Sequence, residues 1–182
     1  MYFNEKGKAN TEKTVELAIK AAKEKNIKNI VVASCSGDTV KLIKDNKDLN
    51  IICVTHAYGF QGPGQNEMQD NVREELKSMG IKVLTTTHVL SGAERGISTK
   101  FGGANPVEII AHALRMLGQG TKVCVEVAVM ALDSGFIPYG EKVIAIGGTG
   151  VGADTAVVIT PAHANNIFST KIHEIICKPE KF

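Results

Sequence analysis

Five short runs of β-branched and aliphatic residues alternate with stretches of helical spacing, and this alternation restricts the fold more than any other feature. The runs are Asn29–Ser34 (NIVVAS), Asn50–Thr55 (NIICVT), Ile81–Thr87 (IKVLTTT), Lys142–Gly148 (KVIAIGG) and Ala156–Thr160 (AVVIT). Each is too short for a helix and reads as a strand, and the first two, β-branched and apolar throughout, read as buried strands. Strands separated by helices imply a mainly parallel sheet covered on both faces. The fourth and fifth runs lie too close for a crossover helix, so they are expected to pair antiparallel. A late run, IHEIICK, adds an edge strand or an end piece.

The helical segments are unequal. Asn10–Asn26 carries Val15, Ala18, Ile19 and Ala22 at helical spacing, with Asn10 or Thr11 as cap and Asn26 as stop. Val40–Asn46 resumes that spacing, and Asn66–Gly80 is a polar helix with Asn66 as cap and Gly80 as stop. Pro106 opens a helix at the position proline favours. Thr121–Gly135 is ambiguous: its alternating valines suggest a strand, its length and Ala-Met-Ala-Leu end a helix, and we read it as helix. His88–Asn105 shows little periodicity and reads as a long excursion with at most one helical turn, a length associated with function.

Composition excludes several classes. With 182 residues, 43% hydrophobic and 22% charged, the chain reads as one domain, 1–182, with a sizeable core. Its 21 basic and 19 acidic residues are interspersed, with no basic block to meet a nucleic acid. The longest nearly apolar stretch, Val123–Leu132, is too short to cross a bilayer. Cys35, Cys53, Cys124 and Cys177 form no close pairs, and no signal peptide is seen, so four reduced thiols in a cytoplasmic protein are expected. The five histidines fall at no metal-ligand spacing, so no metal site is expected.

Three segments carry candidate chemistry. In Ala33–Ile43 (ASCSGDTVKLI) a strand meets a turn of small polar residues and a helix start. Ser34, Ser36 and Thr39 offer hydroxyls, and Gly37 permits close approach of an anion. Alternatively Ser36 or Asp38 simply caps the helix, and a carboxylate at Asp38 opposes a phosphate. In Ile146–Val158 (IGGTGVGADTAVV) a glycine loop joins two strands. It lacks G-x-G-x-x-G and leads into a strand, which rules out a dinucleotide fingerprint. Its N–H groups and hydroxyls can face a ligand, or the loop can serve only to turn sharply. In Thr55–Gly64 (THAYGFQGPG), His56, Tyr58, Gly59 and Phe60 form a ring-bearing loop that stacks on a flat ligand or packs itself down. Arg95 can neutralise a phosphate or sit in solvent, and Glu126 stands alone in an apolar run, where a salt bridge or a site role would explain it. No G-x-S-x-G elbow and no complete P-loop occur. A small hydrolase or lyase using Glu126 or His56 is a minor alternative.

The order of IVVASCSGDTVKLI, HVLSGAERGISTKFGG, VEVAVMALDSGFIP and IAIGGTGVGADTAVVI resembles the C-terminal domain of pyruvate kinase, and most closely its stand-alone relatives. The resemblance covers essentially the whole chain. It implies a three-layer α/β/α sandwich with a mixed, mostly parallel five-stranded sheet of order 3-2-1-4-5, the fifth strand antiparallel. Ligands in open α/β sheets sit where the strand order reverses, beyond the carboxyl ends of the strands. That rule brings SCSGDT and GGTGVGADT to one crevice. In pyruvate kinases the loop matching CSGDT helps hold the phosphates of an allosteric sugar bisphosphate. With no catalytic barrel in the sequence, pyruvate kinase activity is not expected, and with Asp38 in that loop neither is regulation by a sugar bisphosphate.

The stand-alone relatives look like flavin mononucleotide (FMN) binders. The resemblance therefore implies a binding protein for FMN, with an oxidoreductase of unknown substrate as its enzymatic form. Ser34, Ser36, Gly37, Asp38 and Thr39 would surround the phosphate, and His56, Tyr58 and Gly59 would border the ribityl chain or ring. Thr149, Gly150, Val151, Gly152 and Asp154 would line the opposite wall. The alternative is a non-catalytic sugar-phosphate sensor. The sequence leaves the oligomeric state open, self-association included.

Overall fold

A computed structural model describes residues 1–46 and 48–182. Its strands are β1 (Tyr2–Phe3), β2 (Asn29–Ala33), β3 (Asn50–Val54), β4 (Lys82–Leu84), β5 (Val143–Gly147), β6 (Thr155–Thr160) and β7 (Lys171–Pro179). Its α-helices are α1 (Thr11–Glu24), α2 (Asp38–Lys41), α3 (Asp70–Ser78), α4 (Gly92–Phe101), α5 (Pro106–Arg115) and α6 (Gln119–Asp133). The strands form one sheet in the order β1-β7-β6-β5-β2-β3-β4. Its centre reproduces the expected five strands in the expected order. β2 pairs parallel with β3 and β5, β3 pairs parallel with β4, and β6 runs antiparallel to β5.

The expectation of five strands falls short by two. IHEIICK is part of β7, a full antiparallel partner of β6, and β1 adds to β7 in parallel. Two residues carry too little pattern for β1 to be read from sequence.

Side chains alternate cleanly between the two faces, as the period of a strand requires. Ile30 and Val32 of β2 and Ile144 and Ile146 of β5 meet Val15, Ala18 and Ala22 of α1, with Val40 of α2 and Leu76 of α3. Val31, Val143, Ala145, Val157 and Ile159 face the other way, onto α6. The ambiguity of Thr121–Gly135 is resolved as helix. α6 lies between the sheet and α5 and is buried from Gly120 to Leu132 except at Val123. A helix covered on both sides loses its polar stripe, so its valines mimic strand alternation.

Three further boundaries differ from expectation. The segment at Val40–Asn46 is only the end of a single helical turn followed by turns. The polar helix begins after Gln69 rather than Asn66. The 88–105 excursion holds a ten-residue helix, α4, none of whose residues is buried. Polar contacts hold it instead. The Glu94 carboxylate accepts the N–H groups of Val107 (3.1 Å) and Glu108 (2.8 Å), capping α5 from outside, and Ser98 Oγ donates to Glu108 (2.6 Å). Asn26 ends α1's turn in the left-handed region, at φ 52°. No helix among the described residues is long and apolar enough to cross a membrane.

Candidate functional site

β2 and β5 lie side by side where the strand order reverses, and a crevice of about 380 Å³ opens beyond their carboxyl ends. On one side the chain leaves β2 through Ser34, whose N–H reaches Val54 O (3.0 Å), and bends over Cys35 and Ser36. Ser34, Ser36 and Thr39 all line the crevice. Ser36 Oγ accepts the Asp38 N–H (3.3 Å) and donates to the Asp38 carboxylate (2.9 Å). The hydroxyl therefore caps the turn as well as facing the crevice, and the exposed Asp38 carboxylate is engaged by Ser36.

Gly37 does not line the crevice. It sits at φ +86°, and a Cβ there would come within 2.9 Å of Val72 on α3, so helix packing and backbone conformation explain the glycine. α2 has four residues, so its dipole is small and the expected helix-start anion site reduces to hydroxyls and local N–H groups.

The opposite wall is the β5–β6 loop, from which Gly148, Gly150, Val151 and Gly152 line the crevice. Asp154 does not. Its carboxylate is fully buried and accepts from Gly7 N (2.9 Å), Thr149 N (3.2 Å) and Thr155 Oγ1 (2.8 Å). It fixes the shape of the glycine wall and ties it to the N-terminal segment, as does the bond from Ala153 N to Thr11 Oγ1 (3.0 Å). Thr149 stays outside the lining, and its Oγ1 is buried without a partner.

His56, at the end of β3, does reach the crevice. Its Nδ1 is 2.5 Å from Glu67 Oε2, and its ring stacks on Phe60 at 4.0 Å. Tyr58 and Gly59 do not line it. Tyr58 is 64% exposed and donates to Gly64 O (2.7 Å), while Gly59 N–H bonds to Gln65 O (2.8 Å), so both shape the loop.

A second chamber of about 260 Å³ adjoins the first and shares Cys35, His56, Gln119 and Val123 with it. It holds the buried pair Lys122–Glu126, one helical turn apart on α6, with Glu126 also accepting the Leu90 N–H (3.0 Å). This answers why a carboxylate stands in that apolar run: it is paired and hydrogen-bonded. Arg115 donates through Nε to Gln119 (2.7 Å) and Arg95 through Nε to Ser91 (2.7 Å). His88 Nε2 accepts the Ala57 N–H (3.2 Å), which requires a neutral ring. Burial lowers its pKa below the usual value of 6.5, assisted by His56, Lys122 and Arg95 and opposed by Glu126.

The thiols are uncharged by environment. Burial pushes Cys35 up to about 11 and Cys53 to about 12, and raises Cys124 and Cys177 as well. All four are free. Cys35, His56 and Glu67 nevertheless bring a sulfur, a ring nitrogen and a carboxylate oxygen within 4.8 Å of one another. Sequence reading missed Cys35, Glu67, Gln119, Lys122, His88 and Arg115 as site residues. Lys122 and Glu126 were the readable signal, two opposite charges at i,i+4 in an apolar helix.

A family model described as "Pyruvate kinase, alpha/beta domain" matches residues 12–159. Among solved structures, a pyruvate kinase from Cryptosporidium parvum is similar at 20% identity, over 85% of this chain and 23% of that one, with a TM-score of 0.44. A pyruvate kinase of the same organism in complex with ADP matches at 20% identity over 92% and 24%, with a TM-score of 0.43. The chain thus spans about a quarter of the length of these enzymes. The matched span runs from α1 through the glycine wall into β6, and the chain belongs to the pyruvate kinase alpha/beta domain family.

Proposed function

We propose that the chain binds a phosphorylated small molecule in the crevice, and that this ligand is FMN. One observation carries the reading: the hydroxyls of Ser34, Ser36 and Thr39 line the same space of about 380 Å³ as the glycine backbone of Gly148, Gly150 and Gly152, with Val151 between them. Hydroxyls and N–H groups of this kind suit a phosphate. Asp38, whose charge would oppose one, is exposed and bonded to Ser36. Gln119 and Glu67 offer partners for ribityl hydroxyls.

The two adjoining chambers together fall within the roughly 300–1,000 Å³ of small-molecule sites. The inner chamber offers a flat ring the apolar sides of Val54, Val127 and Met130, with Phe60 at its mouth. Arg95 and Arg115 there, with the Lys122 charge balanced by Glu126, would tune a bound flavin toward its reduced, anionic form. A flavin would supply hydride and electron transfer, which makes an oxidoreductase of unassigned substrate the enzymatic form of this reading.

A second reading is favoured by the same two arginines, whose recorded bonds are to the uncharged Ser91 and Gln119. They would suit the far phosphate of a sugar bisphosphate, making the domain a non-catalytic sensor. Titration separates the two. Under the first reading FMN quenches or shifts its fluorescence on binding, and riboflavin binds at least about a hundredfold more weakly, because two charge-assisted contacts of about 1.5–3 kcal/mol each are lost. Protein that ignores FMN but takes up a sugar bisphosphate, followed by calorimetry, sinks the first reading and supports the second.

A further inference from the structure

We propose that Cys35, His56 and Glu67 form a binding site for one zinc-like transition-metal ion, with a fourth coordination position open to the crevice. The three donors come from separate segments: the turn after β2, the end of β3, and the loop before α3. They lie 21 and 11 residues apart in sequence, outside any metal-binding spacing, and only the parallel pairing of β2 with β3 brings them together. All three are half-buried and all three line the crevice. No other grouping of three such donors occurs among the described residues.

The donor set decides the class of ion. One thiolate, one imidazole and one carboxylate suit zinc or cobalt, whereas magnesium and calcium require oxygen ligands throughout. Three protein ligands with an open position is the arrangement of a zinc site that receives water or a ligand oxygen, rather than of a closed structural site. Zinc bonds of about 2.0–2.3 Å place tetrahedral ligand atoms roughly 3.3–3.8 Å apart. The donors here lie within 4.8 Å, and the shortest separation, His56 Nδ1 to Glu67, is 2.5 Å. Drawing the thiol in and parting the other two by about an ångström would meet those bond lengths. The His56 ring is already oriented by Phe60 at 4.0 Å and His88 at 5.4 Å.

Binding replaces the Cys35 proton, which passes to solvent. The dication then balances the charges of the thiolate and of Glu67. The proposal is tested without flavin and uses none of the hydroxyls assigned to the phosphate; with the ion bound, Glu67 serves the metal and Gln119 remains the partner for ribityl hydroxyls.

The test uses the full chain, stripped by chelator and titrated with Co²⁺ alone. The expected result is one equivalent bound, with the visible bands of a tetrahedral ion and a near-ultraviolet thiolate-to-cobalt band, both bleached when Zn²⁺ is added. Cys35→Ser removes the near-ultraviolet band while circular dichroism and melting stay native, and Cys53→Ser leaves it unchanged. His56→Gln and Glu67→Gln each weaken cobalt binding by more than the roughly 10–100-fold that an outer-shell partner contributes. No uptake of Co²⁺ or Zn²⁺, a pale spectrum without the thiolate band, or a band that survives Cys35→Ser overturns the site.

Discussion

On one wall of the crevice the chemistry is carried by side chains: Ser34, Ser36, Thr39, Cys35, His56 and Glu67. On the other, from Gly148 to Gly152, it is carried by backbone, and the one side chain of consequence, Asp154, faces inward to hold the loop. On the first wall the exposed Ser36 can be substituted at little cost to the fold. On the second, Gly148 and Gly152 cannot be replaced so freely, because a Cβ would lie 2.4 Å from Gly152 O at the one and 2.8 Å from Lys8 Cα at the other.

The sharpest break in this comparison comes from Gly148. A Cβ there would lie 2.4 Å from Gly152 O, a clash with backbone that no rotamer relieves. Gly148→Val is expected to destabilise the domain by about 3 kcal/mol or more, read as a lower denaturant midpoint. Ser36→Ala on the facing wall is expected to stay within about 1 kcal/mol of wild type, since Ser36 is exposed. Equal midpoints for the two variants would erase the distinction.

A finer cut separates shape from contact within the glycine wall. Gly150 (φ +76°) and Gly140 (φ +81°) share a left-handed conformation, and at neither would a Cβ find another atom within 4 Å. Leucine at either place therefore costs the same strain, about 1–2 kcal/mol. Only Gly150 lines the crevice, so Gly150→Leu and not Gly140→Leu is expected to lose FMN binding by at least about tenfold. Matching losses in both variants would place the ligand elsewhere.

The smallest effect concerns pH and belongs to the inner chamber. The folded pKa of His88 lies below its usual 6.5, so between that lowered value and 6.5 the unfolded chain binds the extra proton. His88 then contributes stability that is fully present above pH 6.5 and is lost as pH falls through this window. His88→Gln, whose amide oxygen can still accept the Ala57 N–H, is expected to flatten that part of the profile in thermal melts. An unchanged slope would mean that another group titrates there.

What sequence revealed followed how locally each feature is determined. β2, β3, β5 and β6 were readable because both faces of each are buried, as with Ile30, Val31 and Val32 of β2, whereas β4 is a three-residue edge strand with no buried residue. Ser34, Ser36, Thr39, His56, Gly150, Val151 and Gly152 meet at the crevice, because topology sends the ends of those strands to one point. Gly37, Asp38, Tyr58, Gly59, Thr149 and Asp154 were grouped with them by proximity in sequence, yet they point into the fold or out to solvent. α4 was missed because a helix with no buried residue has no apolar stripe, and Glu94, which ties it to α5, acts across 13 residues of chain. Cys35, His56 and Glu67 converge only through strand pairing, which spacing rules cannot see.

The N-terminal segment gives the glycine wall a dependence on local opening. β1 pairs with β7, where Tyr2 meets Lys178, and Gly7 and Thr11 hold Asp154 and Ala153. The β1–β7 pairing cannot close until the last strand is in place, the contacts of Gly7 and Thr11 need only the β5–β6 loop, and contacts between a two-residue edge strand and its neighbour are among the first to open in the native state. Opening of the segment before α1 would remove the Gly7 N–H from Asp154 and leave the carboxylate to Thr149 and Thr155, so a ligand held by the glycine wall would be expected to exchange at a rate that follows this local opening.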